Sequence, residues 1–181
     1  MRTGWMLPDE VMDWIHDNLP DNSVILEFGS GEGTVELSSR YEMISVEHDE
    51  NWLARSKGTY IHANIVDNPI STKFNQKGWY DSRKLTNLPS FVDAIIIDGP
   101  PGDIGRIGIL AHLELLPTFS YCIIDDTDRE AEFLLLEELT SALDFEDQIE
   151  ITSASQRDNG IPRKATAVSY THLTLPTIVG V

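Results

Sequence analysis

A single cysteine, Cys122, is all the thiol chemistry that 181 residues offer. It can close no internal disulfide, and without a cysteine cluster there is no thiolate zinc site. Positive charge is also scarce: 13 Lys and Arg face 30 Asp and Glu, for a formal net charge of −17. Phosphate backbones and anionic membrane surfaces repel such a chain at long range, so neither nucleic acid nor membrane is expected as a partner. No apolar run approaches the roughly 20 residues that span a bilayer. The segment Met1 to Pro8 lacks the basic stretch and long apolar run of a secretory signal. A cytoplasmic enzyme or binding protein is therefore expected. The apolar fraction of 41 % is ordinary for a globular chain, and the length suits one domain.

What is present alternates between short β-rich runs and helical patterns, which implies an α/β fold with parallel strands. Helical spacing of Val11, Met12, Trp14, Ile15 and Leu19 predicts a first helix over Asp9 to Asn18. Strands are expected at Ser23 to Phe28, Met43 to Glu47, Thr59 to His62, Val92 to Asp98 and Tyr121 to Asp125. Helices are expected at Thr34 to Arg40, Glu50 to Lys57, Ile104 to Leu116 and Arg129 to Leu143. Gln148 to Ser153 and Ala165 to Tyr170 read as a closing antiparallel hairpin. Residues 67–90 break the pattern, with Asn, Pro, Ser, Lys and Gly around Trp79-Tyr80, and a stretch this long reads as a substrate-side insertion or lid. One domain over residues 1–168 results. Ser169 to Thr177 reads SYTHLTLPT, which resembles translated sequencing-adapter DNA, so residues 169–181 are set apart as a non-native tail; the alternative is an ordinary final strand.

The segment Val24-Ile25-Leu26-Glu27-Phe28-Gly29-Ser30-Gly31-Glu32-Gly33-Thr34 carries the strongest signal. A buried strand ends in an acid, glycines follow at alternate positions, and a helix begins. Glycines let the backbone turn sharply and let a ligand approach without a Cβ in the way, and the helix start offers unpaired N–H groups. A dinucleotide fingerprint needs G-x-G-x-x-G. Here the third glycine, Gly33, comes one residue early. Glu47 ends the second strand 20 residues after Glu27, where an acid can accept both hydroxyls of a ribose; a solvated strand-end glutamate is the bland alternative.

The E-x-G-x-G-x-G pattern resembles the first motif of class I S-adenosylmethionine (SAM)-dependent methyltransferases. That resemblance implies a Rossmann-like three-layer sandwich on a mostly parallel seven-stranded sheet of order 3-2-1-4-5-7-6. It implies that Gly29, Gly31 and Gly33, with Ser30 in the same turn, cradle the cofactor's methionine portion, and that Glu27 helps to hold its amino group. Glu47 would take the ribose, His48 would pack near the adenosine, and Asn64 would lie near the adenine.

On the reaction side, Ile95-Ile96-Ile97-Asp98-Gly99-Pro100-Pro101-Gly102 ends the fourth strand, and strand C-termini line the crevice of open α/β sheets. Asp98 should face the transferring methyl group. Ile123-Ile124-Asp125-Asp126-Thr127 ends the next strand, so Asp98, Asp125 and Asp126 form a cluster that needs a cation or protons to neutralise it. The cluster resembles the ligand set of metal-dependent O-methyltransferases, which implies Mg²⁺ or another divalent cation on these three residues. Asp126-Thr127 equally resembles the His-Asp-Thr of other methyltransferases, which implies a base without metal; a helix-capping Asp126 is the third reading. Arg106 could grip an anionic acceptor, or be a surface arginine. Trp79 and Tyr80 could cover a sugar or aromatic ring, or anchor their loop in the core. These features together predict SAM-dependent methylation of an oxygen on a small molecule or glycan, with Asp98 and Asp126 acting as base or, with Asp125, as metal ligands. The rivals are a nicotinamide-dependent oxidoreductase, against which the early third glycine stands, and a cofactor-binding protein without catalysis.

Overall fold

The computed structural model describes residues 6–170. Among the described residues there are nine strands and four α-helices. They are α1 (Asp9–Asn18), β1 (Val24–Phe28), α2 (Glu32–Leu37), β2 (Glu42–Glu47), β3 (Thr59–His62), β4 (Ile65–Val66), α3 (Pro69–Lys73), β5 (Trp79–Tyr80), β6 (Phe91–Ile97), β7 (Thr118–Ile124), α4 (Glu130–Ala142), β8 (Asp147–Gln156) and β9 (Pro162–Ser169). Seven strands make the main sheet in the order β3-β2-β1-β6-β7-β9-β8, and β4 and β5 pair separately. Without that small pair the order is the expected 3-2-1-4-5-7-6. β3, β2, β1, β6 and β7 run parallel, and β9 and β8 close the sheet antiparallel.

The central strands are apolar on both faces because both faces are covered. In β6, Ile95 and Ile97 join one core with Phe28, Trp79, Leu135 and Leu139. Ala94 and Ile96 join the other, with Val11, Met12, Ile15 and Leu37. The layers are thus α1 and α2 on one side and α4 with the 67–90 segment on the other. No helix among the described residues is long and apolar enough to cross a membrane.

Three expectations give way. Residues 50–57 form only a single 3₁₀ turn, Glu50–Trp52, because Ala54 takes a left-handed φ of 55° and Gly58 is pressed against the Met43 carbonyl. Residues 107–115 are likewise 3₁₀ with a break at His112. Residues 67–90 are no free lid. Asn68 caps α3 through its side chain and donates to the Gly108 carbonyl at 3.2 Å, while the Ile107 N–H donates to Gln76 Oε1 at 2.9 Å. Trp79 and Tyr80, 1 % and 0 % exposed, pack on Phe28 in the core. Their burial overturns a role as a cover over a sugar. The tail falls outside the described residues from 171 onward, although Ser169 still pairs in β9.

Candidate functional site

Successive parallel strands release their loops at the same sheet edge, and there a cavity of about 1050 Å³ opens. That is the place and the size of a small-molecule site in this architecture. The turn after β1 forms its floor. Gly29 adopts φ +92°, and a Cβ on it would stand 2.7 Å from the Gly99 Cα, so the loops after β1 and β6 touch through two glycines. Gly29, Ser30, Glu47, His48, Asp98 and Gly99 all line this floor.

Glu47 is held rigidly. Its Oε2 accepts from the Ser30 N–H at 2.8 Å, and Oε1 accepts from the N–H groups of His48 and Asp49 at 2.6 and 2.8 Å. Three backbone donors fix the carboxylate and leave one of its roughly four lone-pair sites for a ligand hydroxyl. His48 Nδ1 lies 2.7 Å from Glu47 Oε1, out of line for a hydrogen bond. Trp52 enters the cavity beside them, its carbonyl accepting from Ser30 Oγ at 3.0 Å.

Asp98, Asp125 and Asp126 converge as the sequence implies, with ligand-type oxygens within 4.8 Å of one another. Cations from the chain itself already neutralise them. Asp126 accepts from Arg157 at 2.6 Å and Arg163 at 3.3 Å on one oxygen, and pairs with Arg106 at 3.2 Å and Arg129 at 3.0 Å on the other. Asp125 takes Arg163 at 2.8 Å, and Asp98 takes Arg106 at 3.3 Å. A donor set ringed by four guanidiniums does not fit a resident divalent cation, and the metal expectation is corrected accordingly. Arg106 is corrected too. It is 3 % exposed, and besides these carboxylates it donates to the carbonyls of Pro100, Asp125 and Asp98 at 3.2, 3.0 and 2.7 Å. It braces the floor and has no free fork for an acceptor's anionic group.

The three acids are therefore not equivalent. Despite burial, Asp126 is held below the usual carboxylate range by Arg106, Arg129, Arg157 and Arg163, which makes it a poor proton acceptor. Loss of solvent pushes fully buried Asp125 well above that range, with the charges of Asp98 and Asp126 adding to the effect. Asp98 keeps 30 % of its side chain exposed. Desolvation raises it to about 6 against the pull of Arg106, with Asp126 adding to the rise. That value suits a general base near neutral pH. Asp126 takes φ +63°, a conformation that costs a non-glycine residue about 1 kcal/mol or more and that clusters at functional sites.

Several expected contacts lie elsewhere. Glu27 is buried and does not line the cavity. It accepts from Ser45 Oγ at 2.6 Å, and burial raises its carboxyl to about 7. Gly31 and Gly33 belong to the start of α2, where the Gly31 N–H donates to Thr34 Oγ1 at 2.8 Å. Asn64 is exposed and offers its carbonyl to the Asp81 N–H at 2.8 Å. None of the four meets the cavity. Tyr80 lines the cavity, but Lys84, four residues on, is exposed outside it, so the two make no Tyr-x-x-x-Lys pair of the oxidoreductase kind there. The sequence signals also missed Trp52, Arg129, Glu132, Arg157 and Arg163, all of which line the cavity.

No family model matches the chain, and neither does any curated protein sequence. Solved structures do resemble it. The METTL16 methyltransferase domain is 13 % identical, with 90 % of this chain and 67 % of that one covered and a TM-score of 0.58. The Streptococcus mutans protein SMU.1697c, named as a candidate methyltransferase and solved with S-adenosylhomocysteine (SAH), is 16 % identical, with 94 % and 100 % covered and a TM-score of 0.53. Streptococcus pneumoniae Sp1610, a candidate tRNA (m1A22) methyltransferase, is 14 % identical, with 95 % and 74 % covered and a TM-score of 0.54. With the glycine turn, the strand-end acids and the strand order already in place, these likenesses show that the chain has the class I methyltransferase fold.

Proposed function

We propose that the chain is a SAM-dependent methyltransferase, acting in the cytoplasm on an oxygen of a small molecule or glycan. The observation that carries this reading is the pairing of Glu47 with Asp98 in one cavity, on strands flanking β1 and its glycine turn. The charge of the cavity supports it. Seven acids and four arginines line the walls, an excess of negative charge that suits a ligand bearing a sulfonium and an ammonium.

Bound SAM would supply the methyl group on a good leaving group, and the chain's own residues account for the rest. Glu47, fixed by three backbone N–H groups, accepts from one ribose hydroxyl through its remaining lone pair. Asp98 takes the proton from the acceptor hydroxyl; with its carboxyl at about 6 it is ionised at neutral pH and still basic enough to be useful. Arg106 holds Asp98 in place through both its carbonyl and its carboxylate, so orientation is built in before the acceptor arrives. The β8–β9 tip contributes Ser155, Arg157 and Asn159 to the cavity lining.

Calorimetric titration of SAH, with NADH in parallel, tests the cofactor. Micromolar SAH binding that Glu47→Ala weakens at least 10-fold is expected, with no heat from NADH. NADH binding in place of SAH would overturn the reading in favour of the oxidoreductase.

A further inference from the structure

Among the described residues, the buried side-chain polar atoms without a partner include the hydroxyl of Tyr80. Its position is specific. Tyr80 is wholly buried, yet it is among the residues lining the cavity. A Cβ on Gly99 would lie 2.6 Å from the hydroxyl and 2.6 Å from the Gly29 Cα, so the phenol reaches the point where the two glycine loops meet. The ring is fixed by Phe28 and Trp79 at centroid distances of 6.0 and 5.1 Å, and the His48 ring meets it at 6.1 Å.

An orphaned buried hydroxyl costs about 1–3 kcal/mol, and a core tyrosine with nothing to bond is better replaced by phenylalanine. Retaining the oxygen at the floor of a ligand cavity makes sense where a ligand group completes it. The phenol stays protonated, because burial and the negative charge of Glu47 raise it well above its ordinary range; it therefore donates, and its partner must be a lone pair. The phenol ring meets the ring of His48 at 6.1 Å, and His48 follows Glu47 directly. The hydroxyl therefore belongs to the Glu47 end of the cavity.

We infer that Tyr80 is a binding residue whose hydroxyl donates a hydrogen bond to the nucleoside half of the bound cofactor. The inference rests on the reading of the cavity as a SAM site. It also gives the aromatic pair of the 67–90 segment a use different from covering an acceptor: Trp79 anchors, and Tyr80 reaches through the core to the cofactor.

The test is Tyr80→Phe, which keeps the ring and its packing and removes only the oxygen. Two readouts are needed, neither of them turnover. Thermal unfolding of the ligand-free variant should occur at the wild-type temperature or about 3 °C higher, since an unsatisfied group is removed. Titration should show SAH and 5′-methylthioadenosine both binding about 5-fold more weakly than to wild type. A lowered Tm would mean that the hydroxyl is satisfied within the protein, and would overturn the inference. So would unchanged SAH affinity, or a loss for SAH that 5′-methylthioadenosine does not share, which would place the contact on the amino-acid half. If wild type itself ignores SAH, the cofactor reading falls first and the Tyr80 assignment falls with it, an outcome separable from the others by the wild-type titration alone.

Discussion

Asp98 and Asp126 have the same side chain, and their neighbours give them different work. Asp126 is buried at the centre of four guanidiniums; Asp98 faces the cavity with one arginine beside it. Removing the charge from Asp126 leaves four arginines short of a shared counter-ion, and breaking a buried pair from one side costs about 3–5 kcal/mol. Asp126→Asn should therefore lower the urea midpoint strongly; an unchanged midpoint would show the lattice to be dispensable. Asp98→Asn should keep the fold and SAH binding but lower kcat by about 10²–10⁴. The pH dependence follows from the sign of the shift. A base must be ionised, so kcat should rise as pH climbs through about 6 and level off above it. A profile flat from pH 5 to pH 8 would remove Asp98 from the proton transfer.

At the scale of elements, what could be read from the sequence was local. The strand–turn–helix at Val24 to Thr34 and the acid at Glu47 are signals within a short window; they supplied half of the cavity floor, and the family resemblance they carry implied the sheet order. The Glu50 to Lys57 stretch misled because helical composition says nothing of the left-handed φ at Ala54. Residues 67–90 misled because their polar composition hides the burial of Trp79 and Tyr80, which depends on Phe28 in a distant strand. The arginine lattice was illegible for the same reason: Arg157 and Arg163 meet Asp126 and Asp125 only after β8 and β9 fold back onto β7. This makes the hairpin tip a clamped wall. Arg157 bonds both Asp126 and Asp128, and its backbone closes the turn with Ile161 and Gly160 at 2.9 and 2.8 Å. Arg157→Ala should release the tip. Hydrogen exchange at Arg157 to Ile161 should speed up at least 10-fold while β6 and β7 stay protected. Equal acceleration everywhere would mean global destabilisation and no local clamp.

For the molecule as a whole, charge bears on a choice of acceptor that the fold alone leaves open. One structural relative is named for tRNA methylation, and a shared fold does not carry a substrate across. RNA binding draws most of its affinity from lysines and arginines that displace counterions from phosphates. This chain has 13 such residues against 30 acids, and four of its arginines are committed to carboxylates in the cavity. The acids on the cavity wall would further repel a phosphate approaching Asp98. A fluorescein-labelled RNA stem-loop titrated at about 50 mM salt, where electrostatic binding is strong, should therefore show no saturation up to a protein concentration of about 10⁻⁴ M, even with SAH present. Micromolar binding that weakens steeply as salt rises would reveal a basic surface that the net charge conceals. It would move the proposed acceptor from a small molecule or glycan to RNA while leaving the roles proposed for Glu47, Tyr80 and Asp98 as they stand.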